Sequence, residues 1–233
     1  MTWSLNLGDW RDQIDSVDEV DAIITDPPFG DRTHKGDVAA AVQTLSVRNQ
    51  KTRRAIDYKC FHPADVFEFV YSWQHKNKGW WICITSHDLI PAWEQAFREI
   101  GLYSFAPLPF IRKVPRLLGD GPASWADYIM AARPRNTTYS RWGCRPGAYV
   151  LEKGHYERKK ISVGGKPIWL MKKLVEDYTK PGDTVCDPFA GGATTLAAAT
   201  MLGRKSIGFE LNEETYRKAL ERMSGIAQNS DVA

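Results

Sequence analysis

Short apolar runs that alternate with amphipathic segments are the feature that most limits how this chain can fold. The run from Asp21 to Thr25 is rich in β-branched residues and stops at two prolines. It predicts a buried strand, because proline has no amide hydrogen to donate to a sheet. Further buried strands are predicted at 80–85, 184–186 and 206–209, and helices at 64–74, 89–100, 168–178, 194–202 and 213–223. This alternation predicts an α/β fold with a mostly parallel sheet and helices on both faces.

The remaining segments complete one predicted domain, residues 1–233, since this length suits a single compact core. Residues 102–111 and 128–132 predict two strands around a Gly/Pro loop, which form an antiparallel hairpin at one edge of the sheet. Residues 30–62 have little periodicity and predict a long mobile loop. Residues 133–165 show no clear period over most of their length and are predicted to form a small insert.

Glycines lie between a predicted strand and a predicted helix in the segment Asp187-Pro188-Phe189-Ala190-Gly191-Gly192-Ala193-Thr194-Thr195. Such a turn lets the backbone approach a ligand and point its amides at it. The segment has neither the Lys-Ser/Thr of a P-loop nor the three spaced glycines of the dinucleotide fingerprint. Glu210 ends the next strand, where an acid can accept hydrogen bonds from ribose hydroxyls. A nucleoside-like cofactor is the prediction, and a plain strand-to-helix turn is the alternative.

A second motif, Asp26-Pro27-Pro28-Phe29, directly follows the first buried strand. Each proline fixes φ near about −65°, so the carboxylate, the carbonyls and the ring are presented on a stiff loop. The exocyclic amine of a base is a poor nucleophile because its lone pair is conjugated with the ring. Hydrogen bonds from that amine to Asp26 and a proline carbonyl would favour the geometry that frees the lone pair, while Phe29 stacks on the base. Alone, these residues are also ordinary turn formers.

The formal net charge of +3 does not by itself indicate a polyanionic partner, but the basic residues are clustered. One cluster lies in 30–62 and the other, with interleaved tyrosine and tryptophan, in 133–165. A solvated surface is the alternative interpretation of each cluster. The candidate nucleic-acid-binding residues are Arg48, Lys51, Arg53, Arg54, Arg135, Arg141, Arg145, Lys159 and Lys160.

The four cysteines are far apart, and no pair has the spacing of a zinc site or a redox dithiol. We therefore expect no metal and a reduced, cytoplasmic chain. No apolar run approaches the roughly 20 residues that span a bilayer, so we also expect no membrane segment.

Together, the motifs resemble the amino-methyltransferases of DNA in which the catalytic motif precedes the cofactor motif. The order along the chain is Gly8-Asp9, Asp26 to Phe29, Lys166-Pro167, Asp187 to Thr195 and Gly208-Phe209-Glu210. The resemblance implies a Rossmann-like seven-stranded sheet and methyl transfer from S-adenosyl-L-methionine to the N6 amine of adenine. Its substrate would be a specific site in double-stranded DNA, as in restriction-modification systems, and the protein could form a homodimer. The resemblance also implies a target-recognition region between the catalytic and cofactor motifs, so residues 133–165 are the candidate target-recognition segment.

Site residues follow from the same resemblance. Asp9 would lie near the cofactor adenine, and Glu210 would bind its ribose. The catalytic residues would be Asp26, Pro27, Pro28 and Phe29. The cofactor-binding residues would be Asp9, Asp26, Lys166, Asp187, Pro188, Phe189, Gly191, Gly192, Thr194, Thr195 and Glu210.

Three departures from the family pattern stand out: Phe29 replaces a tyrosine, Ala193 replaces a glycine, and Ser162 to Gly165 replace the usual residues before Lys166. If Ala193 takes a positive φ, its side chain leaves less room for a ligand to approach the backbone. Because the residues before Lys166 differ from the family pattern, Lys166 could also be a plain surface lysine. Three alternative functions also remain open. They are methylation of cytosine at N4, methylation of adenine in RNA, and a non-catalytic nucleic-acid-binding relic.

Overall fold

The computed structural model of the protein describes residues 3–30, 60–116, 122–135, 143–152 and 165–230. Its strands are β1 (Trp3–Leu7), β2 (Val20–Thr25), β3 (Asn77–Thr85), β4 (Tyr103–Ser104), β5 (Leu108–Arg116), β6 (Ser124–Arg133), β7 (Tyr149–Val150), β8 (Thr184–Asp187) and β9 (Lys205–Glu210). Its α-helices are α1 (Trp10–Gln13), α2 (Pro63–Trp73), α3 (Ile90–Glu99), α4 (Ile168–Tyr178), α5 (Thr194–Met201) and α6 (Glu213–Ser230). Short 3₁₀ turns follow α1 and precede α3.

All described strands belong to one sheet in the order β1-β9-β8-β2-β3-β6-β5-β7, with β4 paired to β6. The pairs from β1 to β3 are parallel. β6 runs antiparallel to both β3 and β5, and so forms the predicted hairpin. The fold prediction is confirmed. The seven longer strands form the expected sheet, and the two-residue strands β4 and β7 bring it to nine.

Both faces of the central strands are buried, which explains their continuous apolar sequences. In β2, Ile23 faces a core with Val66 of α2 and Trp93 of α3. Its neighbour Ile24 faces the opposite core with Leu170 of α4. Side chains alternate across a strand, so one apolar run serves the helices on both faces. The helix layers therefore hold β2 and β8 side by side and fix where their carboxyl ends point.

The observed elements differ from the sequence expectations near both ends of the chain. Residues 1–20 were not assigned an element, yet Trp3–Leu7 forms β1 beside β9. The last helix continues to Ser230 rather than ending at residue 223. The predicted mobile loop 30–62 lies almost wholly outside the described residues, as do 136–142 and 153–164 of the recognition segment.

No helix within the described ranges is long and apolar enough to cross a membrane. Those ranges also contain no group of three or more His, Cys, Asp and Glu side chains arranged to hold a metal ion. The four cysteines are free thiols.

Candidate active site

The two sequence motifs meet at one edge of the sheet. β2 and β8 are parallel neighbours, with Ile23 opposite Cys186, so both strands end on the same side. The Thr25 hydroxyl, one residue before Asp26, donates a 2.6 Å hydrogen bond to Oδ1 of Asp187. The proline loop and the glycine turn are therefore adjacent, although 162 positions separate Thr25 from Asp187 in the chain. This is the arrangement that the motif order predicts.

Asp187 is a buried carboxylate at the entrance to the glycine turn. Its side chain is 2% exposed, and its Oδ1 accepts a hydrogen bond from the Phe189 amide at 3.1 Å. Burial raises the pKa of the Asp187 carboxyl to about 6, while hydrogen bonds from Thr195, Thr25 and the Phe189 amide oppose the rise. A buried carboxylate of this kind favours a cationic ligand group, because a positive charge stabilises its ionised form.

The glycine turn bends tightly before α5. Gly191 has φ 52° and Ala193 has φ 54°, and Ala193 is the one described non-glycine residue in the left-handed region. The departure noted at Ala193 therefore falls where a glycine would avoid strain. Arg222 of α6 secures the turn by donating to the Gly192 carbonyl at 3.2 Å and to the Thr194 hydroxyl at 3.0 Å.

Several other residues of this motif anchor the turn to the core. Pro188, Gly192 and Thr195 are buried. The Phe189 ring packs against Trp10 and Phe69, with centroid distances of 6.4 and 5.5 Å. Their burial suits a turn that presents its backbone to a ligand while its side chains anchor it to the core.

Glu210 and Asp9 lie at the same edge, because β1 pairs with β9 and Leu7 is opposite Glu210. Oε1 of Glu210 accepts a 2.7 Å hydrogen bond from the Asn212 amide. Burial raises the pKa of the Glu210 carboxyl, and backbone amides of Asn212, Gly191 and Leu211 oppose that rise. Asp9 caps α1 by accepting a 3.0 Å hydrogen bond from the Arg11 amide. Glu210 thus lies beside the glycine turn, and Asp9 follows Gly8, whose amide donates to the Glu210 carbonyl at 2.9 Å.

Asp26 is held in an ion pair with Lys166. The Lys166 Nζ lies 2.6 Å from Oδ1 and 2.8 Å from Oδ2 of Asp26, and 4.5 Å from the centroid of the Phe29 ring. The Lys166 side chain is 8% exposed, so the alternative of a plain surface lysine is wrong. The motif Lys166-Pro167 therefore lies against the proline loop.

The ring of Phe29 is buried at 7% exposure within the core on the α4 side. The backbone carbonyl of Phe29 accepts a 3.2 Å hydrogen bond from the Phe61 amide. The Phe61 ring packs against Phe189, with a centroid distance of 5.6 Å. Pro27 is buried and Pro28 is half-buried. The catalytic loop is therefore fixed on both sides, as the two prolines predict.

Asp127 and Arg112 belong to the site, and the sequence did not indicate them. Oδ2 of Asp127 lies 4.0 Å from the Lys166 Nζ, and its Oδ1 lies 3.5 Å from the Arg112 guanidinium. Arg112 also donates to the Ser124 carbonyl at 2.6 Å. The one available signal was an acidic residue inside the apolar run from Trp125 to Ala132, because a strand rarely buries an unpaired carboxylate.

The structure does not bring Arg135 or Arg145 to the catalytic loop. Arg135 follows the carboxyl end of β6, and β6 is antiparallel to β3. Arg135 therefore lies beside the amino end of β3, on the side of the sheet away from the proline loop. Arg145 is also on that side, where its Nε donates to the Asp177 carbonyl at 2.6 Å and its guanidinium lies over Trp80 at 5.4 Å. The other predicted basic contacts lie outside the described residues: Arg48, Lys51, Arg53, Arg54, Arg141, Lys159 and Lys160.

The fold and these two loops define a Rossmann-like α/β domain with an acidic proline loop beside a nucleoside-binding turn. The sequence model of a protein family described as DNA methylase matches residues 135–221 of this chain. That match includes Lys166, Asp187 and Glu210, whereas Asp26 precedes it. Over these residues the chain is similar to the N6 and N4 DNA methylases, and the resemblance drawn from its motifs is confirmed.

Curated relatives match over shorter stretches. The Type II methyltransferase M.HindIII of Haemophilus influenzae is 46% identical over 74 residues, which are 32% of this chain and 24% of that protein. The DNA adenine methyltransferase YhdJ of Escherichia coli is 47% identical over 58 residues, 25% of this chain and 20% of that protein. The chain therefore spans about a quarter of the length of the first of these relatives, at 24%.

Solved structures match over almost the whole fold. The M1.HpyAVI–SAM complex superposes with a TM-score of 0.67 at 22% identity, covering 95% of this chain and 98% of that one. The cytosine-N4-specific PvuII DNA methyltransferase superposes with a TM-score of 0.66 at 14% identity, covering 97% of this chain and 91% of that one. These similarities show a shared fold, in agreement with the predicted Rossmann-like sheet.

Proposed function

We propose that this protein transfers a methyl group from S-adenosylmethionine to the N6 amine of adenine in DNA. The observation that carries the proposal is the 2.6 Å hydrogen bond from Thr25 to Asp187, which joins the catalytic loop to the glycine turn. A methyl group must pass directly from cofactor to base, so a transferase needs these two elements within a few ångströms of each other. The SAM complex of M1.HpyAVI, which shares the fold, supports the choice of cofactor.

The residues at the turn fit this cofactor. Glu210 has a carboxylate near the Gly191 and Leu211 amides and can accept hydrogen bonds from both hydroxyls of a ribose. Asp187 offers a buried negative charge that suits the cationic amino-acid end of the molecule. Asp9 follows the end of β1 and would lie at the adenine side of the cofactor. When bound, the cofactor supplies the electrophilic methyl group.

Asp26 and the proline carbonyls would hold the target amine. By accepting its hydrogen bonds they orient the nitrogen lone pair away from the ring and stabilise the positive charge that develops on it. The methylated nitrogen is a strongly acidic ammonium, so its proton leaves easily and Asp26 need not be a strong base. Pro27 and Pro28 keep these acceptors in place without an ordering cost at the moment of binding.

Adenine is the preferred target because Asp26 is the residue that the resemblance associates with adenine, and because the related YhdJ is described as a DNA adenine methyltransferase. Cytosine N4 is the second candidate, since the PvuII enzyme with the same fold is cytosine-N4-specific. Both reactions use the same amine geometry.

We expect DNA to approach along the outer part of the hairpin of β5 and β6. Thr85, the last residue of β3, pairs with Tyr128, so the residues of β6 before Tyr128 extend past the catalytic edge. Trp125, on the same face as Asp127, is 49% exposed there, and Val114 on β5 is 68% exposed. An exposed tryptophan beside the site can stack on an unpaired base.

The proposal is tested by incubating the protein with labelled S-adenosylmethionine and unmethylated genomic DNA or RNA, then digesting the product and identifying the labelled base. We expect N6-methyladenine in DNA. Label in N4-methylcytosine would reassign the target, and label in RNA alone would reassign the substrate. Cofactor binding without transfer to any nucleic acid would refute the proposed activity. Homodimer formation stays a prediction, to be measured by sedimentation with and without DNA.

A further inference from the structure

The Lys166 ammonium occupies the place that the target amine needs. It contacts both carboxylate oxygens of Asp26, at 2.6 and 2.8 Å, and lies 4.5 Å from the Phe29 ring centroid. The proposed reaction requires an amine in the same position, donating to Asp26 beside that ring. The ammonium fills the space between this carboxylate and the ring, so Lys166 must move before a base can place its amine there.

Asp127 offers a second position for this ammonium. Its Oδ2 lies 4.0 Å from the Lys166 Nζ, and its side chain is 4% exposed. The carboxylate also faces the guanidinium of Arg112, whose side chain is 13% exposed. The two acids and two bases of this cluster balance in charge, so a small displacement of Lys166 towards Asp127 leaves the cluster neutral.

Burial makes such an exchange preferable to simple release. An ammonium that leaves a buried carboxylate without reaching another loses most of its electrostatic stabilisation. Moving from Asp26 to Asp127 replaces one charge-assisted contact by another. The same ammonium would remain within a few ångströms of Asp26 and continue to stabilise the negative charge of its carboxylate.

We propose that Lys166 is a placeholder for the target amine, which shifts its ion pair from Asp26 to Asp127 when the base enters. Lys166 and Asp127 are thus positioning residues for base binding. This inference rests on the proposed methyltransferase function. It assigns a role to Asp127 on β6 and explains why a nearly buried lysine pairs with Asp26.

The test uses two substitutions and their combination, with methyl transfer to unmethylated genomic DNA measured at saturating S-adenosylmethionine. Asp127→Asn preserves size but removes the second anionic position, so Lys166 should stay on Asp26. We expect the KM for DNA to rise about tenfold or more, with cofactor affinity unchanged within about threefold. Adding Lys166→Met removes the placeholder, and the double variant should recover a KM within about threefold of the wild type.

Lys173→Met is the matched control. Lys173 lies on α4 close to Lys166 in the chain and pairs with Glu176 at 2.9 Å, but both side chains are 40% exposed or more. Losing an exposed ion pair should leave the KM for DNA unchanged. If Asp127→Asn does not fold, Lys166→Met alone decides the question. A placeholder competes with the target amine and so predicts a lower KM for DNA in Lys166→Met, whereas a purely structural lysine predicts a higher one.

The rescue distinguishes this inference from loss of structure, because a merely structural pair would not regain DNA affinity when its second member is also removed. A double variant no better than Asp127→Asn, or an Asp127→Asn variant with the KM of the wild type, would overturn the inference alone. No methyl transfer to DNA by the wild-type protein would overturn the proposed function and this inference with it.

Discussion

Replacing Asp187 with asparagine should stabilise the protein without cofactor, and only above a defined pH. The Asp187 carboxyl is buried, and burial raises its pKa from 3.8 to about 6. The folded protein therefore holds this proton more tightly than the unfolded chain does. Stability is then lost as the pH rises between these two values, because folding must keep an ionised carboxylate away from water.

The magnitude follows from the pKa difference of about two units between 3.8 and about 6. One unit corresponds to about 1.4 kcal/mol, so the ionised carboxylate lowers the free energy of unfolding by about 3 kcal/mol above pH 6. Below pH 3.8 the group is neutral in both states, and this cost disappears. Asparagine has nearly the same shape and never ionises, so Asp187→Asn removes the cost.

The assay is urea unfolding of both proteins at several pH values from 4 to 8, with the difference in unfolding free energy plotted against pH. We expect that difference to change by about 3 kcal/mol in favour of the variant across this interval. Any constant offset reflects the altered hydrogen bonds to Thr25 and Phe189. A difference that is independent of pH would refute the claim that Asp187 is destabilised by burial.

Three further substitutions test other parts of the structure. A Cβ at position 208 would lie 2.8 Å from Leu196 and 2.9 Å from Ala190. Gly208→Ala should therefore destabilise the fold by about 1–3 kcal/mol and weaken cofactor binding, as thermal unfolding and calorimetry would show. Arg145→Gln should lower stability by about 1–2 kcal/mol but leave the KM for DNA unchanged, because Arg145 lies away from the catalytic edge. Trp125→Ala should raise the KM for DNA about tenfold without changing cofactor affinity; an unchanged KM would exclude the hairpin as a DNA contact.

The sequence predicted the central fold and the meeting of the two motifs because both depend on local patterns. A strand that ends in Asp26-Pro27 and another that ends in Asp187-Pro188 must finish at the same edge if they are parallel neighbours. The strand β1 was missed for an equally local reason. Trp3-Ser4-Leu5-Asn6-Leu7 alternates apolar and polar residues, but the run is only five residues long, and pairing with β9 supplies the stabilisation that so short a sequence does not show.

The charge cluster around Asp26 could not be predicted from the sequence. Lys166 and Asp127 come from segments far apart in the chain, and only the order of β2, β3 and β6 brings Asp127 to Lys166. For the basic residues, position in the sequence did not predict position in the fold. Arg135 belongs to the predicted recognition segment, but the antiparallel direction of β6 carries it to the side of the sheet away from the proline loop.

The measurement that tests the account most directly compares methyl transfer with cofactor affinity in Asp26→Asn and Glu210→Gln. If the two loops form one site with divided roles, Asp26→Asn should reduce transfer to DNA by about 100-fold or more while cofactor affinity stays within about threefold. Glu210→Gln should instead weaken cofactor binding about tenfold or more. Equal loss of transfer and cofactor affinity in Asp26→Asn, or full transfer activity in that variant, would contradict the assignment of the proline loop as the catalytic element.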